Sequence, residues 1–136
     1  MSRLVYLDTS TLLKRVLAEG ASHSSRQWIR EAVAIGDVLV TSSLAWIEVA
    51  RALRQASSRG AAVPVAAIDV ALSGVRERRI SADVVSLARR LGPDSLRSLD
   101  AIHLATAVLL DVDLLVSHDT RLCDAARGLE IATLEP

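Results

Sequence analysis

Four carboxylates stand out by their positions in this 136-residue chain. Asp8 closes the apolar run Leu4-Val5-Tyr6-Leu7, and Asp119 follows the run Leu114-Leu115-Val116 after Ser117 and His118. Asp100 opens a helical pattern. Glu48 lies within another, among Trp46, Ile47, Val49 and Ala50. An Asp at a strand end or in a first helical turn has an ordinary role, since it accepts hydrogen bonds from unpaired amides. That role does not cover Glu48, whose ordinary use would be an i,i+3 pair with Arg51, worth a few tenths of a kcal/mol. If the four met, each would raise its neighbours' pKa and weaken the fold. Mg2+ or Mn2+ relieves such repulsion, because hard divalent cations prefer carboxylate oxygen and water. An acidic cluster of this kind serves phosphodiester hydrolysis: one ion activates water, and a second, about 3.5–4 Å away, stabilises the leaving oxygen.

Strands and helices must bring these residues together. The runs Leu4–Leu7, 38–40 and Leu114–Val116 are short, rich in β-branched residues or Leu, and end in polar residues, with 131–134 a weaker fourth. Leu12, Leu13, Val16 and Leu17 repeat as on one face of a helix, as do Trp28, Ile29, Ala32 and Val33. Ser43 reads as the N-cap of a helix carrying Leu44, Ile47, Ala50 and Leu53. Further helices are predicted over 65–72, 83–91, 99–110 (after Ser98 as N-cap) and 120–127. Gly20, Gly36, Gly60, Gly92 and Gly128 follow these patterns, where helices end. Continuous apolar strands alternating with helices predict a parallel sheet covered on both faces. With right-handed crossovers this is an α/β fold: a three-layer α/β/α sandwich whose central, mainly parallel sheet has four to five strands, in one domain over 1–136. The segment 65–91 shows no strand and reads as an insertion or an interface arm. In such sheets ligands bind beyond the carboxyl ends of the strands, where Asp8 and Asp119 fall.

Composition narrows the function. Sixteen basic and sixteen acidic residues cancel, so bulk charge does not draw the chain to nucleic acid. The aromatics are Tyr6, Trp28 and Trp46, too few for a base-stacking platform. Cys123 is the single cysteine, which excludes an intrachain disulfide and suits a small apolar filler. No apolar run approaches the ~18 residues of a membrane span, and the first residues lack a secretory signal pattern; the expectation is a cytoplasmic protein that does not enter a membrane.

Asp8-Thr9-Ser10, the run Ser42-Ser43-Leu44-Ala45-Trp46-Ile47-Glu48, the run Asp100-Ala101-Ile102-His103-Leu104-Ala105-Thr106-Ala107, and Val116-Ser117-His118-Asp119 with Arg121-Leu122 together resemble the PIN-domain family. Within it, they resemble the VapC-type toxins of type II toxin–antitoxin pairs. The likeness extends from Val5 to about Leu134, and the run from Asp100 to Ala107 is its most specific piece. It implies an Mg2+-dependent endoribonuclease, with Mn2+ able to substitute, that leaves a 5′-phosphate and a 3′-hydroxyl. The family's acidic residues fall on Asp8, Glu48, Asp100 and Asp119. Asp8, Asp100 and Asp119 would ligate metal directly, and Glu48 would ligate it or orient water. Ser10 and Ser117 would hydrogen-bond carboxylates or water; Ser117 stands where the family usually has Thr, and the swap keeps the hydroxyl. Asp124 is either an extra acidic residue of the site or part of the exposed face of the last helix. The resemblance also implies an RNA substrate (transfer RNA is the family's frequent target), a homodimer, and a cognate VapB-type antitoxin whose tail enters the acidic site.

Other readings compete. A haloacid-dehalogenase-like phosphotransferase or a response-regulator receiver needs a lysine late in the chain, whereas the only lysine, Lys14, lies in the first helix. A catalytically silent PIN fold that acts by binding protein would have no need of the full acidic set. His103 is a packed helix residue or a proton shuttle, and Trp46 packs in the core or at a dimer contact, or stacks a base. Arg76, Arg78 and Arg79 form a solvated charge run or touch phosphates. A neutral protein with an acidic site needs local cations to hold a polyanion, and Arg15, Arg51 and Arg54 are the candidates.

Overall fold

The computed structural model describes residues 2–18 and 20–136. Five strands form one sheet: β1 (Leu4–Leu7), β2 (Val38–Ser42), β3 (Val75–Arg78), β4 (Leu114–Val116) and β5 (Thr133–Leu134). Their order is β3-β2-β1-β4-β5, and every neighbouring pair is parallel. The helices are α1 (Thr9–Leu13), α2 (Ser22–Ala34), α3 (Ser43–Ser58), α4 (Ala67–Leu72), α5 (Ala82–Ala88), α6 (Ser98–Leu109) and α7 (Thr120–Gly128). The period of two along each strand divides the core. Val5, Leu7, Leu39, Leu114 and Val116 face Leu12, Ile29, Val49 and Leu53 on one side. Tyr6, Val40 and Leu115 face Leu104, Leu122 and Ala126 on the other. The result is the three-layer α/β/α sandwich. No helix among the described residues is long and apolar enough to cross a membrane.

The segment 65–91 departs from its sequence reading, because it contains β3. Its sequence is Val-Arg-Glu-Arg, and only Val75 is buried. The strand pairs with β2 alone, from Leu39↔Val75 to Ser42↔Arg78, so it is an edge. Charged residues on an edge strand deter pairing with another chain and remove the apolar pattern that marks inner strands. Arg76 and Arg78 belong to this strand, and Arg78 pairs with Asp83 at 3.1 Å. The same pairing carries β2 two residues beyond its apolar run.

Several boundaries also differ. The first helix stops at Leu13 and continues as turns to Leu17. Ser42, not Ser43, caps α3, its hydroxyl accepting from Leu44 N at 3.1 Å. Arg97, not Ser98, occupies the cap position of α6, with no side-chain cap bond. Among the glycines expected at helix ends, Gly36 and Gly60 have positive φ, whereas Gly20, Gly92 and Gly128 do not.

At the amino-terminal edge of the sheet, two carboxylates hold the start of β1. Asp37 accepts from Arg3 N (3.0 Å), Nε (3.1 Å) and Nη2 (2.6 Å), and Asp113 accepts from Leu4 N at 2.7 Å. The Arg3 hydrogen bonds hold the Asp37 carboxyl below the usual carboxylate range. Its stabilisation is therefore present above the unfolded value near pH 4 and is lost as pH falls through the lower folded value. Asp37→Asn is expected to cost about 1.5 kcal/mol at neutral pH, the low end for a charged hydrogen bond because the Arg3 side chain is 43% exposed. In urea titrations the gap between wild type and variant should close as pH falls below about 4.

Candidate active site

The sheet order reverses between β1 and β4, and such a switch point opens a crevice at the carboxyl ends of the strands. Asp8 stands there. It is 5% exposed and caps α1. Its Oδ1 accepts from Ser10 Oγ (2.7 Å), Thr11 N (3.2 Å) and Thr11 Oγ1 (3.3 Å), and its Oδ2 accepts from Ser117 Oγ (2.7 Å). A buried carboxylate needs such donors to stay charged. The two serines also knit the loop after β4 to α1. Ser10 Oγ accepts from His118 N at 2.9 Å, and Ser117 Oγ accepts from Asp119 N at 2.9 Å. Asp119 caps α7, its Oδ1 accepting from Arg121 N (2.9 Å) and Leu122 N (3.3 Å).

Glu48 projects from the second turn of α3. Its Oε1 accepts from Thr9 Oγ1 at 2.8 Å and lies 2.6 Å from His103 Nε2. His103 is 2% exposed, and its Nδ1 lies 2.6 Å from the hydroxyl of Tyr6, which accepts from Ser42 N at 3.2 Å. Asp100, in the first turn of α6, is half-buried and accepts no hydrogen bond from the described residues.

The electrostatics tie the four carboxylates together. Burial pushes Asp100 above its ordinary value, and the charges of Asp119, Asp8 and Glu48 push the same way, opposed by His103. Burial also raises Glu48, but His103 and Thr9 outweigh it and hold the group below its ordinary value. Asp100 and Asp119 line one open cavity of about 420 Å³ with Arg97, His118, Thr120 and Arg121. Asp8 and Glu48 stand outside that lining, and Asp8 is joined to it through Ser117 and the Asp119 amide.

The other singled-out residues are placed elsewhere. Arg51 and Arg54 share a separate cleft of about 370 Å³ with Gln55, Ser58 and Arg59. Arg15 is tied to the end of α4, its Nη1 donating to Ala71 O (3.0 Å) and Ser73 O (2.8 Å). Asp124 lies on the exposed face of α7, paired with Arg127. Trp46 packs against the first core layer. Cys123 is buried, and burial pushes its thiol up.

Sequence reasoning missed five participants: Tyr6, Thr9, Thr11, Arg97 and Arg121. Thr9 lies inside the Asp8-Thr9-Ser10 triplet, so the motif held it. Arg97 and Arg121 lie three residues before Asp100 and two after Asp119, close enough for one helical turn to bring each beside its carboxylate.

Residues 5–128 match the PIN domain family model, and the chain belongs to the PIN-domain family. Within it, this is a PIN domain of the VapC toxin type. It is 34% identical over 137 residues to Ribonuclease VapC35 of Mycobacterium tuberculosis, covering 98% of this chain and 97% of that one. It is 39% identical over 136 residues to Ribonuclease VapC46 of the same species, covering 97% of each. In fold it resembles the crystal structure of Mycobacterium tuberculosis VapC20, a sarcin–ricin loop cleaving toxin, with TM-score 0.68 at 18% identity over 97% of this chain and 99% of that one. A toxin–antitoxin complex from Klebsiella pneumoniae gives TM-score 0.62 at 22% identity, covering 97% of both chains.

Ser117 serves two carboxylate-bearing segments at once, donating to Asp8 and accepting from the Asp119 amide. Ser117→Ala should lower unfolding free energy by about 1–3 kcal/mol in chemical denaturation, because it strips a donor from a buried charge. Ser117→Thr keeps the hydroxyl and should recover most of that loss.

Proposed function

We propose that this protein is a divalent-metal-dependent endoribonuclease toxin, using Mg2+ with Mn2+ able to substitute, that hydrolyses RNA at Asp8, Glu48, Asp100 and Asp119 and is inhibited by a cognate antitoxin. The observation that carries the reading is Asp100. It is a half-buried carboxylate without a hydrogen-bond donor among the described residues, held in the field of three other carboxylates. A fold keeps such a repulsive arrangement at a strand-end crevice where a cation can relieve it. The two relatives named as ribonucleases support the nuclease reading, and the toxin–antitoxin complex supports the antitoxin.

The donor chemistry fits a hard cation, since all four groups are carboxylates. Among the described residues, no three His, Cys, Asp or Glu side chains are already grouped to hold a metal ion. Asp8 engages both oxygens with protein donors, and Glu48 and Asp119 engage one each. Asp100 and the second oxygens of Glu48 and Asp119 are the groups that would hold the ion. When bound, the ion supplies positive charge against the phosphodiester and acidifies water. The chain's own residues do the rest. Asp8 anchors the crevice, the α7 cap keeps Asp119 in place, and Arg97 and Arg121 supply cations in the cavity for phosphate oxygens. The cleft of Arg51, Arg54 and Arg59 offers a second hold on the RNA backbone further along α3.

Asp100 gives a cleaner test than Asp8, because Asn at position 8 would set an amide NH2 against groups that donate to the carboxylate. Asp100→Asn should abolish RNA cleavage. The same change removes repulsion, so the metal-free variant should melt higher than wild type. Millimolar Mn2+ should raise the wild-type Tm, by an amount equivalent to roughly 2.7 kcal/mol at a hundredfold excess over Kd, and should raise the variant's much less. Equal Mn2+ shifts in both, with cleavage retained, would reject this site. Arg51→Ala with Arg54→Ala should weaken RNA binding and reduce the slope of log K against log salt by about 0.7 for each phosphate that is no longer neutralised; an unchanged slope removes these arginines from the RNA path.

A further inference from the structure

We propose that His103 is a positioning residue for Glu48, held in register by Tyr6, so that the three side chains act as one aligned unit. The inference rests on the nuclease reading for the role of Glu48, but the alignment itself stands on hydrogen-bond geometry. Four polar groups form an unbroken line from Ser42 N through the Tyr6 hydroxyl and both ring nitrogens of His103 to Glu48 Oε1, at 3.2, 2.6 and 2.6 Å.

Donor accounting fixes the proton at the Glu48 end of that line. The Ser42 amide only donates, so it occupies a lone pair of the Tyr6 oxygen, and the same hydroxyl stands 2.6 Å from His103 Nδ1. An ionised Glu48 only accepts, so the other ring nitrogen carries its proton toward Oε1. The ring is thereby held with an N–H on Nε2 facing Glu48, the pattern by which an outer hydrogen bond fixes the face a histidine presents. Thr9 Oγ1 donates to the same Oε1 at 2.8 Å. Two donors on one oxygen fix the carboxylate's rotation and leave Oε2 without a protein donor among the described residues. That oxygen is the one available to a cation or to water.

The route through the fold supports the assignment. Ser42 begins the helix that carries Glu48, Tyr6 lies on the central strand two residues before Asp8, and His103 lies one helical turn after Asp100. The line therefore joins β2, β1, α6 and α3, and ties the angle of Glu48 to the segments that hold two other carboxylates. Tyr6 and His103 are 0% and 2% exposed, so water does not compete for these bonds. A histidine that only filled space could be replaced by Leu without consequence for Glu48.

The test uses the full chain in two arms. In the kinetic arm, His103→Leu should lower kcat for RNA cleavage by about 10–100-fold, the usual cost of losing such an outer partner. KM for RNA should be unchanged. His103→Gln, which restores an N–H toward Glu48, should recover most of the loss. Tyr6→Phe keeps the ring in the core and removes only the hydroxyl; it should lower kcat too, and it decides the question if His103→Leu does not fold. Wild-type kcat in both Tyr6→Phe and His103→Leu overturns the proposal, as does wild-type kcat in Tyr6→Phe alone where His103→Leu does not fold. The spectroscopic arm needs neither metal nor RNA. Long-range 1H–15N correlation on metal-free protein at neutral pH should show a proton on His103 Nε2, and a ring protonated on Nδ1 alone overturns it. If wild type cleaves no RNA with Mg2+ or Mn2+, the nuclease reading falls, while the spectroscopic arm still decides whether His103 holds Glu48.

Discussion

Burying the charge of Asp8 at the carboxyl end of the central strand is the constraint around which this site is built. An unpaired carboxylate in such a place would cost several kcal/mol. The chain meets that cost with donors from two directions: Ser10 and Thr11 from the first turn of α1, and Ser117 from the end of β4. The consequences spread outward. The first helix starts where Asp8 caps it, and the loop between β4 and α7 is held against it by the same serines. The amide of Asp119 is placed by the hydroxyl that serves Asp8. A hydroxyl at position 117 is thus as much a fold requirement as a site requirement.

The two edges of the sheet treat acidic residues in opposite ways. At the amino-terminal edge, Asp37 and Asp113 each meet donors from the start of β1, and their charge strengthens the sheet. At the carboxyl edge, Asp100 meets no donor among the described residues, and burial together with three other carboxylates raises its proton affinity. One edge is electrostatically satisfied and the other is left in surplus. A protein of zero net charge can hold this contrast because it is local, and the surplus falls at the switch point, where the fold opens to solvent. Violations of polar satisfaction confined to one crevice are the expected mark of a functional site.

Glu48 shows how a third device joins the other two. It neither caps a helix nor lies at a strand end. Its position depends on contacts with Thr9 and His103, from segments 39 and 55 residues away in sequence. Helix α6 brings both Asp100 and His103 to the site, one turn apart, and His103 is anchored in turn to β1 through Tyr6. The apolar face of α6 packs on the sheet, so core packing sets where these polar groups stand.

The layered architecture was legible in the sequence, and so was the placing of Asp8 and Asp119 at strand ends. Inner parallel strands are buried on both faces and read as unbroken apolar runs, as at 4–7 and 114–116, and a carboxylate that follows such a run is delivered to the sheet edge by local geometry alone. β3 was not legible, since an edge strand has one paired side and carries the charges of Arg76, Glu77 and Arg78 where an inner strand carries Val or Ile. Nor was the employment of individual polar groups. The sequence presents His103 as a packed helix residue, and it is packed; only the fold places its second nitrogen beside Glu48. Arg15 and Arg51 look alike on their helical patterns, yet one donates to the backbone at the end of α4 and the other lines an open cleft. Periodicity determines which face of an element turns inward, because that depends on the residue's own chain. Which group then meets which across the sheet depends on strand order and helix packing, and those are set by the burial of the whole apolar set rather than by any local run of residues.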